Sequence, residues 1–295
     1  MANFSVTLHY KLLKMICFPN AKINLGLNIL NRRPDGYHNL DTVMIPVNWT
    51  DILEIIPAES TCDNLTVTGR GVDCEPEKNL VMKAVKALRT KCDFPAVEIH
   101  LHKIIPDGAG LGGGSADAAF TLTTLRQLFN LPLSDVELSD IAATLGADCP
   151  VFVTNRASHC TGTGTILSTI DNPIPKGTIV AIVKPPVSVS TKEAYAHVLP
   201  AEPTTPLSSL LKELKPECWQ GKIVNDFETS VFPAHPLLPQ IKQYLLEAGA
   251  FYASMSGSGS ALFGLFKSGS TDESALSDRL AESFPECDIR VSLMQ

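Results

Sequence analysis

The sequence predicts an α+β fold, in which strands and helices intermix along the chain without the strict alternation of a doubly wound parallel sheet. Two periodicities lead to this prediction. Apolar residues alternate over short stretches, which is typical of strands, and they recur at helical spacing over longer stretches. The 295 residues are enough for one large domain or two ordinary ones.

The first predicted strand lies near the N-terminus. Apolar side chains occupy every second position from Ala21 to Ile29, and Lys22, Asn24 and Asn28 occupy the other face. This pattern predicts a strand with one buried and one polar face. The Pro-Asp-Gly sequence at residues 34–36 then predicts a turn. Further strands are expected near residues 41–47, 51–56 and 64–68.

A helix and a strand lead to a glycine-rich stretch. The spacing of apolar residues predicts a helix within residues 77–92 and a strand over 97–103. The stretch GAGLGGGSADAA, residues 108–119, joins this strand to a second helix. We expect that helix to begin at Ser115, a good N-cap residue, and to extend to Phe129.

The third helix is predicted over residues 134–146. Ser134 and Glu137 have the spacing of a capping box, and Gly146 is suited to end the helix. The residues that follow, ADCPVF at 147–152, are expected to enter a strand.

Turn-forming residues at 171–177 predict a domain boundary. No repeat with a period of 20–50 residues is visible in the sequence. The elements predicted beyond the boundary are a buried strand at 178–186, a helix at 237–248, a hairpin at 251–266, a helix at 272–284 and a strand at 287–293.

Composition and charge argue against several classes of protein. The net charge of −7 disfavours a broad nucleic-acid surface but allows a small basic pocket for phosphates. The eight cysteines are scattered, which predicts reduced thiols in a cytoplasmic protein rather than a zinc cluster or a disulfide framework. No stretch reaches the ~18 apolar residues needed to cross a membrane. Residues 1–14 lack the features of a signal peptide and are interpreted as an N-terminal extension.

The glycine-rich stretch suits a polyphosphate anion, because it precedes a helix N-terminus with unpaired N–H groups and lets a phosphate approach the backbone. It matches the dinucleotide fingerprint but lacks the early βαβ unit and the strand-end acid of that motif. It also matches a P-loop, except that Gly114 stands where the lysine belongs. A cation must then come from Mg²⁺ or from a lysine such as Lys103 or Lys22. A plain strand-to-helix turn is the alternative.

Three stretches resemble the motifs of the GHMP kinases, the galactose, homoserine, mevalonate and phosphomevalonate kinase family. They are PNAKINLGL at 19–27, PDGAGLGGGSADAA at 106–119 and MSGSGSALFGLF at 255–266. The resemblance implies a two-domain GHMP kinase fold. Its N-terminal ATP-binding domain, similar to ribosomal protein S5 domain 2, would span residues 15–172, and a ferredoxin-like C-terminal domain would span 173–295.

Two stretches, PNAKINLGLNILNRRPDGYHNLDTVM and LGADCPVF, further resemble the branch of this family that acts on a CDP-linked methylerythritol in the non-mevalonate isoprenoid pathway. The resemblance implies an ATP-dependent kinase that phosphorylates the 2-hydroxyl of this small molecule with Mg²⁺, and no nucleic-acid or membrane partner. Another GHMP kinase acting on a different alcohol is one alternative. A catalytically silent nucleotide-binding regulator on the same fold is another.

The resemblance implies a catalytic pair, Asp148 and Lys22. Asp148 would take the proton of the accepting hydroxyl, and Lys22 would stabilise the negative charge that develops there. On sequence grounds alone, Asp148 could equally cap or turn the chain, and Lys22 could be a solvated surface lysine.

Substrate contacts are implied for Asn24, Tyr37, His38 and Thr191, with Tyr37 and His38 holding the cytosine ring. The residues themselves leave other interpretations open: His38 could be an ordinary surface histidine, and Thr191 could be a helix cap.

Nucleotide contacts are implied for the glycine-rich loop and for two residues outside it, Lys103 and Asn79. Asn79 could equally be the N-cap of its helix. The turn 256–259 would pack near the loop, although it could be only a hairpin turn. Ala116 replaces a serine found in many members, so Ser115 or Asp117 could contact Mg²⁺, or the nucleotide could hold the metal; no metal ligand is assigned. The loop residues concerned are Pro106, Gly108, Gly110, Leu111, Gly112, Gly113, Gly114 and Ser115.

Overall fold

The computed structural model describes residues 14–72 and 74–294. The predicted extension, residues 1–14, therefore lies outside the described residues except for Lys14. The chain forms two compact units. The first comprises the described residues up to Asn20 together with Thr50–Asp107 and Gly112–Asn155; the second comprises Ala21–Trp49, Gly108–Leu111 and the residues from Arg156 onward. The domain boundary at residue 172 stays a prediction.

Strands and helices intermix within the described residues, as the α+β prediction requires. The strands are β1 (Met15–Cys17), β2 (Asn20–Arg32), β3 (His38–Thr50), β4 (Ile52–Pro57), β5 (Asn64–Gly69), β6 (Val97–Lys103), β7 (Ser158–Gly162), β8 (Ile166–Thr169), β9 (Ile179–Lys184), β10 (Tyr252–Met255), β11 (Leu262–Phe266) and β12 (Asp288–Leu293). The helices are α1 (Leu80–Arg89), α2 (Gly113–Phe129), α3 (Asp135–Ala143), α4 (Cys149–Thr154), α5 (Thr191–Ala196), α6 (Leu207–Glu213), α7 (Phe227–Val231), α8 (Leu237–Glu247) and α9 (Glu273–Ser283).

The first unit contains a four-stranded sheet of order β1-β4-β6-β5, in which β6 is antiparallel to β4 and parallel to β5. Val97, Ile99 and Leu101 of β6 are buried, while the residues between them are exposed. This confirms the predicted alternation, because one face of the sheet packs against the core that α1 and α2 complete. Helix α1 therefore connects the parallel pair β5 and β6 as a βαβ unit.

The second unit contains two four-stranded sheets, of orders β2-β3-β7-β8 and β10-β11-β9-β12. The predicted C-terminal hairpin is confirmed, because β10 and β11 pair antiparallel. Helix α8 packs on this hairpin and α9 packs on β12, and both helices lie within one residue of their predicted bounds. Strand β2, the sheet β10-β11-β9-β12 and helices α8 and α9 contribute to a second apolar core.

Strand β2 is predicted to be half-buried, and this is wrong for its first eight residues, whose polar face is buried as well. Its residues from Asn20 to Leu27 are buried on both faces, and Lys22 and Asn24 are 2% and 1% exposed. Alternation of polar and apolar residues indicates two different faces, but the polar face here meets other polar groups of the protein rather than water. Buried polar groups need hydrogen-bond partners, so this face of β2 indicates a specific hydrogen-bonding role for its side chains.

Two further predictions of local structure are also wrong. Helix α2 begins two residues before Ser115, because Gly112 adopts a left-handed conformation with φ 72° and takes the N-cap position. The stretch 149–154 is the helix α4 rather than a strand. Pro150 favours the first turn of a helix, and a short apolar run does not distinguish a buried helix from a buried strand. The capping box of Ser134 and Glu137 is confirmed.

All eight cysteines are free thiols. Among the described residues, none of the helices is both long enough and apolar enough to cross a membrane.

Candidate functional site

The first part of the glycine-rich loop, Gly108–Leu111, belongs to the second unit and packs against the turn between β10 and β11. Gly110 has φ +73°, and a Cβ atom there would lie 2.0 Å from the carbonyl oxygen of Ser256. The Oγ of Ser256 donates a 2.8 Å hydrogen bond to the carbonyl oxygen of Gly110. Only glycine fits at this position, so the loop and the turn are in backbone-to-backbone contact.

Lys22 is held at this loop rather than in solvent. Its Nζ donates hydrogen bonds to Asn24 Oδ1 at 2.5 Å and to the Gly110 carbonyl oxygen at 2.8 Å. Its backbone N–H donates to the carbonyl oxygen of Leu111 at 2.9 Å. The alternative of a solvated surface lysine is therefore excluded, and strand β2 brings a buried ammonium to the middle of the loop.

Asn24 orients the ammonium, and its own orientation is fixed by β3. Its Nδ2 donates to Thr42 Oγ1 at 3.0 Å, and the Thr42 hydroxyl donates to the carbonyl oxygen of Gly26 at 2.6 Å. Because the hydroxyl proton of Thr42 is already used, the asparagine must present its NH₂ group to Thr42 and its oxygen to Lys22. Thr42 was not among the predicted site residues.

The second part of the loop belongs to the first unit and begins α2. The backbone N–H groups of the first turn, from Gly113 to Ser115, have no acceptor within their own helix. Together with the helix dipole they favour an anion. The arrangement can therefore bind phosphate oxygens, as expected for the glycine-rich loop.

Asp148 lies close to this helix start in the same unit. It occupies the N-cap position of α4, but its side chain makes no capping hydrogen bond to that helix, which lies wholly within the described residues. Burial raises the pKa of the neighbouring Cys149 thiol to about 11, a hydrogen bond with Ser115 opposes this, and the charge of Asp148 adds to it. Ser115 and Asp148 therefore flank the same thiol, and the capping role of Asp148 is wrong as far as its side chain is concerned.

Lys103 lies at the end of β6 and is 3% exposed. Its Nζ donates to Asp51 Oδ2 at 2.5 Å and to Asp117 Oδ2 at 2.8 Å. The other oxygen of Asp51 accepts the N–H groups of residues 104 and 105 at 2.5 and 2.8 Å. The ammonium therefore fastens the strand before the loop to the helix after it. Its predicted contact with the nucleotide stays a prediction.

The charges of this cluster are unbalanced, since two carboxylates face one ammonium. Burial raises the pKa of Asp117 to about 7, with Lys103 opposing and Asp51 adding to the effect. Burial alone would lower the pKa of Lys103, but the charges of Asp117 and Asp51 outweigh it and raise that pKa. Asp117 Oδ1 is buried and has no hydrogen-bond partner among the described residues. These shifts favour a proton on Asp117 near neutral pH.

Asn79 is the N-cap of α1, as one of the two predicted interpretations holds. Its Oδ1 accepts the N–H of Val81 at 2.9 Å, and the residue is 8% exposed. Its contact with the nucleotide stays a prediction, as does that of the buried Pro106.

The predicted base-binding residues lie at the start of β3: Tyr37 precedes the strand, and His38 is its first residue. Tyr37 is 68% exposed, and the ring of His38 stacks on Tyr195 with centroids 4.9 Å apart. Tyr195 lies on α5, whose first residue is Thr191; the cap of that helix is Ser190 rather than Thr191. Tyr195 was not predicted, because one aromatic residue in a six-residue helix has no distinguishing pattern.

Within the part of the chain that the structure describes, no group of three or more His, Cys, Asp or Glu side chains could hold a metal ion. Asp117, one of the candidates for a magnesium ligand, is bonded to Lys103 instead.

Two family models match the chain. Residues 79–156 match the GHMP kinases N terminal domain, and residues 208–285 match the GHMP kinases C terminal domain. Two relatives are named 4-diphosphocytidyl-2-C-methyl-D-erythritol kinase. That of Parabacteroides distasonis is 52% identical over 86% of this chain and 92% of its own length. That of Porphyromonas gingivalis is 49% identical over 90% of this chain and 97% of its own length.

Solved structures agree with these matches. A crystal structure of 4-(cytidine 5'-diphospho)-2C-methyl-D-erythritol kinase is 31% identical, has a TM-score of 0.77, and covers 95% of this chain and 98% of its own. The mevalonate kinase of Methanococcus jannaschii has a TM-score of 0.71 at 15% identity, covers 97% of this chain and 100% of its own, and bears on the fold alone. The predicted two-domain GHMP kinase fold is confirmed.

Proposed function

Because the chain belongs to the GHMP kinase family, we infer that it is an ATP-dependent kinase that phosphorylates 4-diphosphocytidyl-2-C-methyl-D-erythritol. The phosphoryl group is transferred to the 2-hydroxyl, and ADP is released. The observation that carries this proposal is the identity of 52% over 86% of the chain to a kinase of that name. The buried ammonium at a glycine-rich loop is the geometric counterpart, because phosphoryl transfer depends mainly on positioning and electrostatic stabilisation.

We propose that the loop binds the phosphates of ATP. The N–H groups that begin α2 supply donors without a charged side chain, and the glycines leave room for phosphate oxygens. Lys103 and Asn79 would act from the edges of this site. Since the ammonium of Lys103 is bonded to two carboxylates, its contribution would be to hold the loop ends together as much as to contact the nucleotide.

Asp148 is proposed to accept the proton of the attacking hydroxyl, while the ammonium of Lys22 stabilises the charge that develops on the acceptor oxygen. The support for Asp148 is that its side chain does not cap α4 within the described residues, although it occupies the N-cap position. The support for Lys22 is that Asn24 and Gly110 fix its ammonium in one place.

The cytosine ring is proposed to be held by Tyr37 and His38, with Asn24 and Thr191 contacting the rest of the acceptor. The stacked pair of His38 and Tyr195 supports this, because it presents aromatic rings beside the exposed Tyr37. Aromatic faces bind nucleobases by stacking, so Tyr195 joins the proposed base-binding residues.

Mg²⁺ is proposed to enter with ATP. This ion prefers oxygen ligands, retains several waters and is commonly held by substrate phosphates. Of the side chains near the loop, Ser115 offers a hydroxyl, whereas the carboxylates of Asp51 and Asp117 are bonded to Lys103. The phosphates of the nucleotide would therefore supply most of the ligands.

The assignment of Asp148 is tested with Asp148→Asn. We expect kcat to fall by about 1,000-fold, within the range for loss of a general base, with ATP affinity nearly unchanged. Asp272→Asn is the matched control, because Asp272 is the N-cap of α9 and its side chain does cap that helix. An Asp148→Asn enzyme that retained most of its kcat would refute the assignment.

The substrate is tested with radiolabelled ATP and a panel of alcohols that includes homoserine, mevalonate, galactose and the CDP-linked alcohol. We expect transfer only to the CDP-linked alcohol. Transfer to another member of the panel would favour a different GHMP kinase. ATP binding without transfer to any alcohol would favour a silent regulator.

A further inference from the structure

The stretch VNDFE, residues 224–228, lies beside the C-terminal half of strand β2. The N–H of Leu27 donates to the carbonyl oxygen of Val224 at 2.9 Å, and the N–H of Asp226 donates to the carbonyl oxygen of Leu27 at 2.9 Å. The carboxylate of Asp226 also accepts the N–H of Ile29 at 2.8 Å. The backbone of this stretch is therefore in register with the strand that carries Lys22.

Asn225, within this stretch, is 2% exposed and points to the turn between β10 and β11. Its Nδ2 donates to the carbonyl oxygens of Met255 and Gly257 at 2.7 and 2.8 Å. Its Oδ1 accepts the N–H of Phe227 at 3.0 Å. The two amide protons thus bracket Ser256, the residue that contacts the glycine-rich loop.

Glu228 binds the residues that lead into the same turn. Its Oε1 accepts the N–H of Met255 at 2.9 Å and the hydroxyl of Ser254 at 3.0 Å. Its Oε2 is bonded to Lys242 at 2.5 Å. Met255 therefore has both its N–H and its carbonyl group fixed by side chains of the VNDFE stretch.

We propose that Asn225 is a positioning residue for phosphoryl transfer, which acts through Ser256 on Lys22. Ser256 Oγ and Lys22 Nζ donate to the same carbonyl oxygen, that of Gly110, at 2.8 Å each. Ser256 Oγ also accepts the N–H of Asn24 at 3.3 Å. Asn225 sets the position of Ser256, and Ser256 sets the acceptor to which the ammonium is bonded. This inference rests on the proposed catalytic role of Lys22.

Asn225→Asp is the most informative variant, because aspartate has the same shape and keeps the acceptor for Phe227 while it replaces both N–H donors. Ionised, it would face two carbonyl oxygens and displace the turn. We expect kcat to fall by about 100-fold, the effect of a misplacement of about 1 Å, and KM for both substrates to change by less than about threefold. A kcat within threefold of the wild-type value would overturn the inference.

A double-mutant cycle with Lys22→Met separates positioning from a general structural effect. If Asn225 acts through Lys22, Asn225→Asp should lower kcat by less than about threefold in the Lys22→Met background. A full 100-fold loss in that background would overturn the inference. Lys22→Met alone reports on the proposed function, since near-normal activity of that single variant would remove the role of Lys22 whatever Asn225 does.

Gln220→Ala is the matched control. Gln220 Oε1 accepts the N–H of Ala253 at 2.9 Å. The substitution therefore removes a side-chain hydrogen bond to strand β10 without touching the turn, and kcat should stay within twofold. Thermal unfolding of each variant shows whether it is folded. If Asn225→Asp does not fold, Ser256→Ala takes its place: it deletes only the hydroxyl, should lower kcat about tenfold, and would overturn the inference by leaving kcat unchanged.

Discussion

Two buried lysines, one in each unit, donate hydrogen bonds to different kinds of acceptor. Lys103 is 3% exposed and donates to two carboxylates, those of Asp51 and Asp117. Lys22 is 2% exposed and donates to an amide oxygen and a carbonyl oxygen, those of Asn24 and Gly110. Burial is nearly the same, so the difference lies in the charge of these partners.

Carboxylates cancel the charge of an ammonium, whereas amide and carbonyl oxygens orient it without supplying a countercharge. The charge of Lys103 is offset within its cluster, which is suited to join two elements of the backbone. The amide of Asn24 and the carbonyl of Gly110 fix the position of the Lys22 ammonium, which suits a group that must stabilise charge on a substrate. The same residue type is thus expected to serve structure in one unit and chemistry in the other.

The largest expected effect is that of Lys22→Met on turnover. Methionine keeps the length of the side chain but removes the charge, so kcat should fall by about 1,000-fold, the upper range for loss of one preorganised donor. Initial rates with saturating ATP and acceptor measure it. A loss below tenfold would mean that Lys22 does not differ in role from Lys103.

Lys103→Met should instead act mainly on stability. It leaves two carboxylates buried without their cation, which is expected to lower the free energy of unfolding by about 3–5 kcal/mol. Urea denaturation of the variant and the wild type measures the difference. Addition of Asp117→Asn to Lys103→Met should recover part of the loss, and its failure to do so would argue against charge as the cause.

The pH dependence of stability sharpens the contrast further. The pKa of Asp117 is raised from 3.8 to about 7, so the native state binds its proton more tightly than the unfolded state does. This contribution is complete below about pH 4 and is lost as the pH rises through 7, with a slope of at most ~1.4 kcal/mol per pH unit. Wild-type stability should therefore decline relative to Asp117→Asn between pH 4 and 7. Urea denaturation of both proteins across this pH range would reveal the decline. Free energies of unfolding that change equally with pH in the two proteins would contradict it.

The smallest expected effect is that of Asn24→Asp, which replaces the amide oxygen beside the Lys22 ammonium by a carboxylate. The new carboxylate would offset the charge of the ammonium, and kcat should fall about tenfold, or ~1.4 kcal/mol. Thr42→Val is the control, because it removes the hydrogen bond that Asn24 Nδ2 makes, together with the one to the Gly26 carbonyl oxygen, and introduces no charge. Equal losses in the two variants would show that orientation rather than charge is what matters.

The sequence was sufficient for elements whose signal is local. The capping box of Ser134 depends only on neighbouring residues, and that prediction is confirmed, as are the helices predicted at 237–248 and 272–284. Helix α4 was missed because its six residues are too few to show a period. The motif resemblance identified the family because its three stretches span most of the chain.

Parts of the candidate site could not be predicted, because their contacts join residues that lie far apart in the sequence. The partners of Lys103 lie 52 and 14 residues away in sequence, and no local pattern links them. Ser256 contacts Gly110 across 146 residues, and Tyr195 and Asn225 have meaning only through contacts of the same kind. The roles given to Lys22, Asp148 and the nucleotide contacts remain predictions that the variants above address.

The contact between Gly110 and Ser256 also limits how the loop can evolve. The atom that a Cβ at position 110 would meet is the backbone oxygen of residue 256, at 2.0 Å, and every residue type has that oxygen. No substitution at position 256 can make room, so a larger residue at 110 has no compensating partner. Comparisons of related sequences would thus find no correlated change between the two positions, even though the backbone of residue 256 dictates glycine at position 110. At Gly114 a Cβ would meet a leucine side chain at 3.6 Å, so the fold itself should tolerate alanine there.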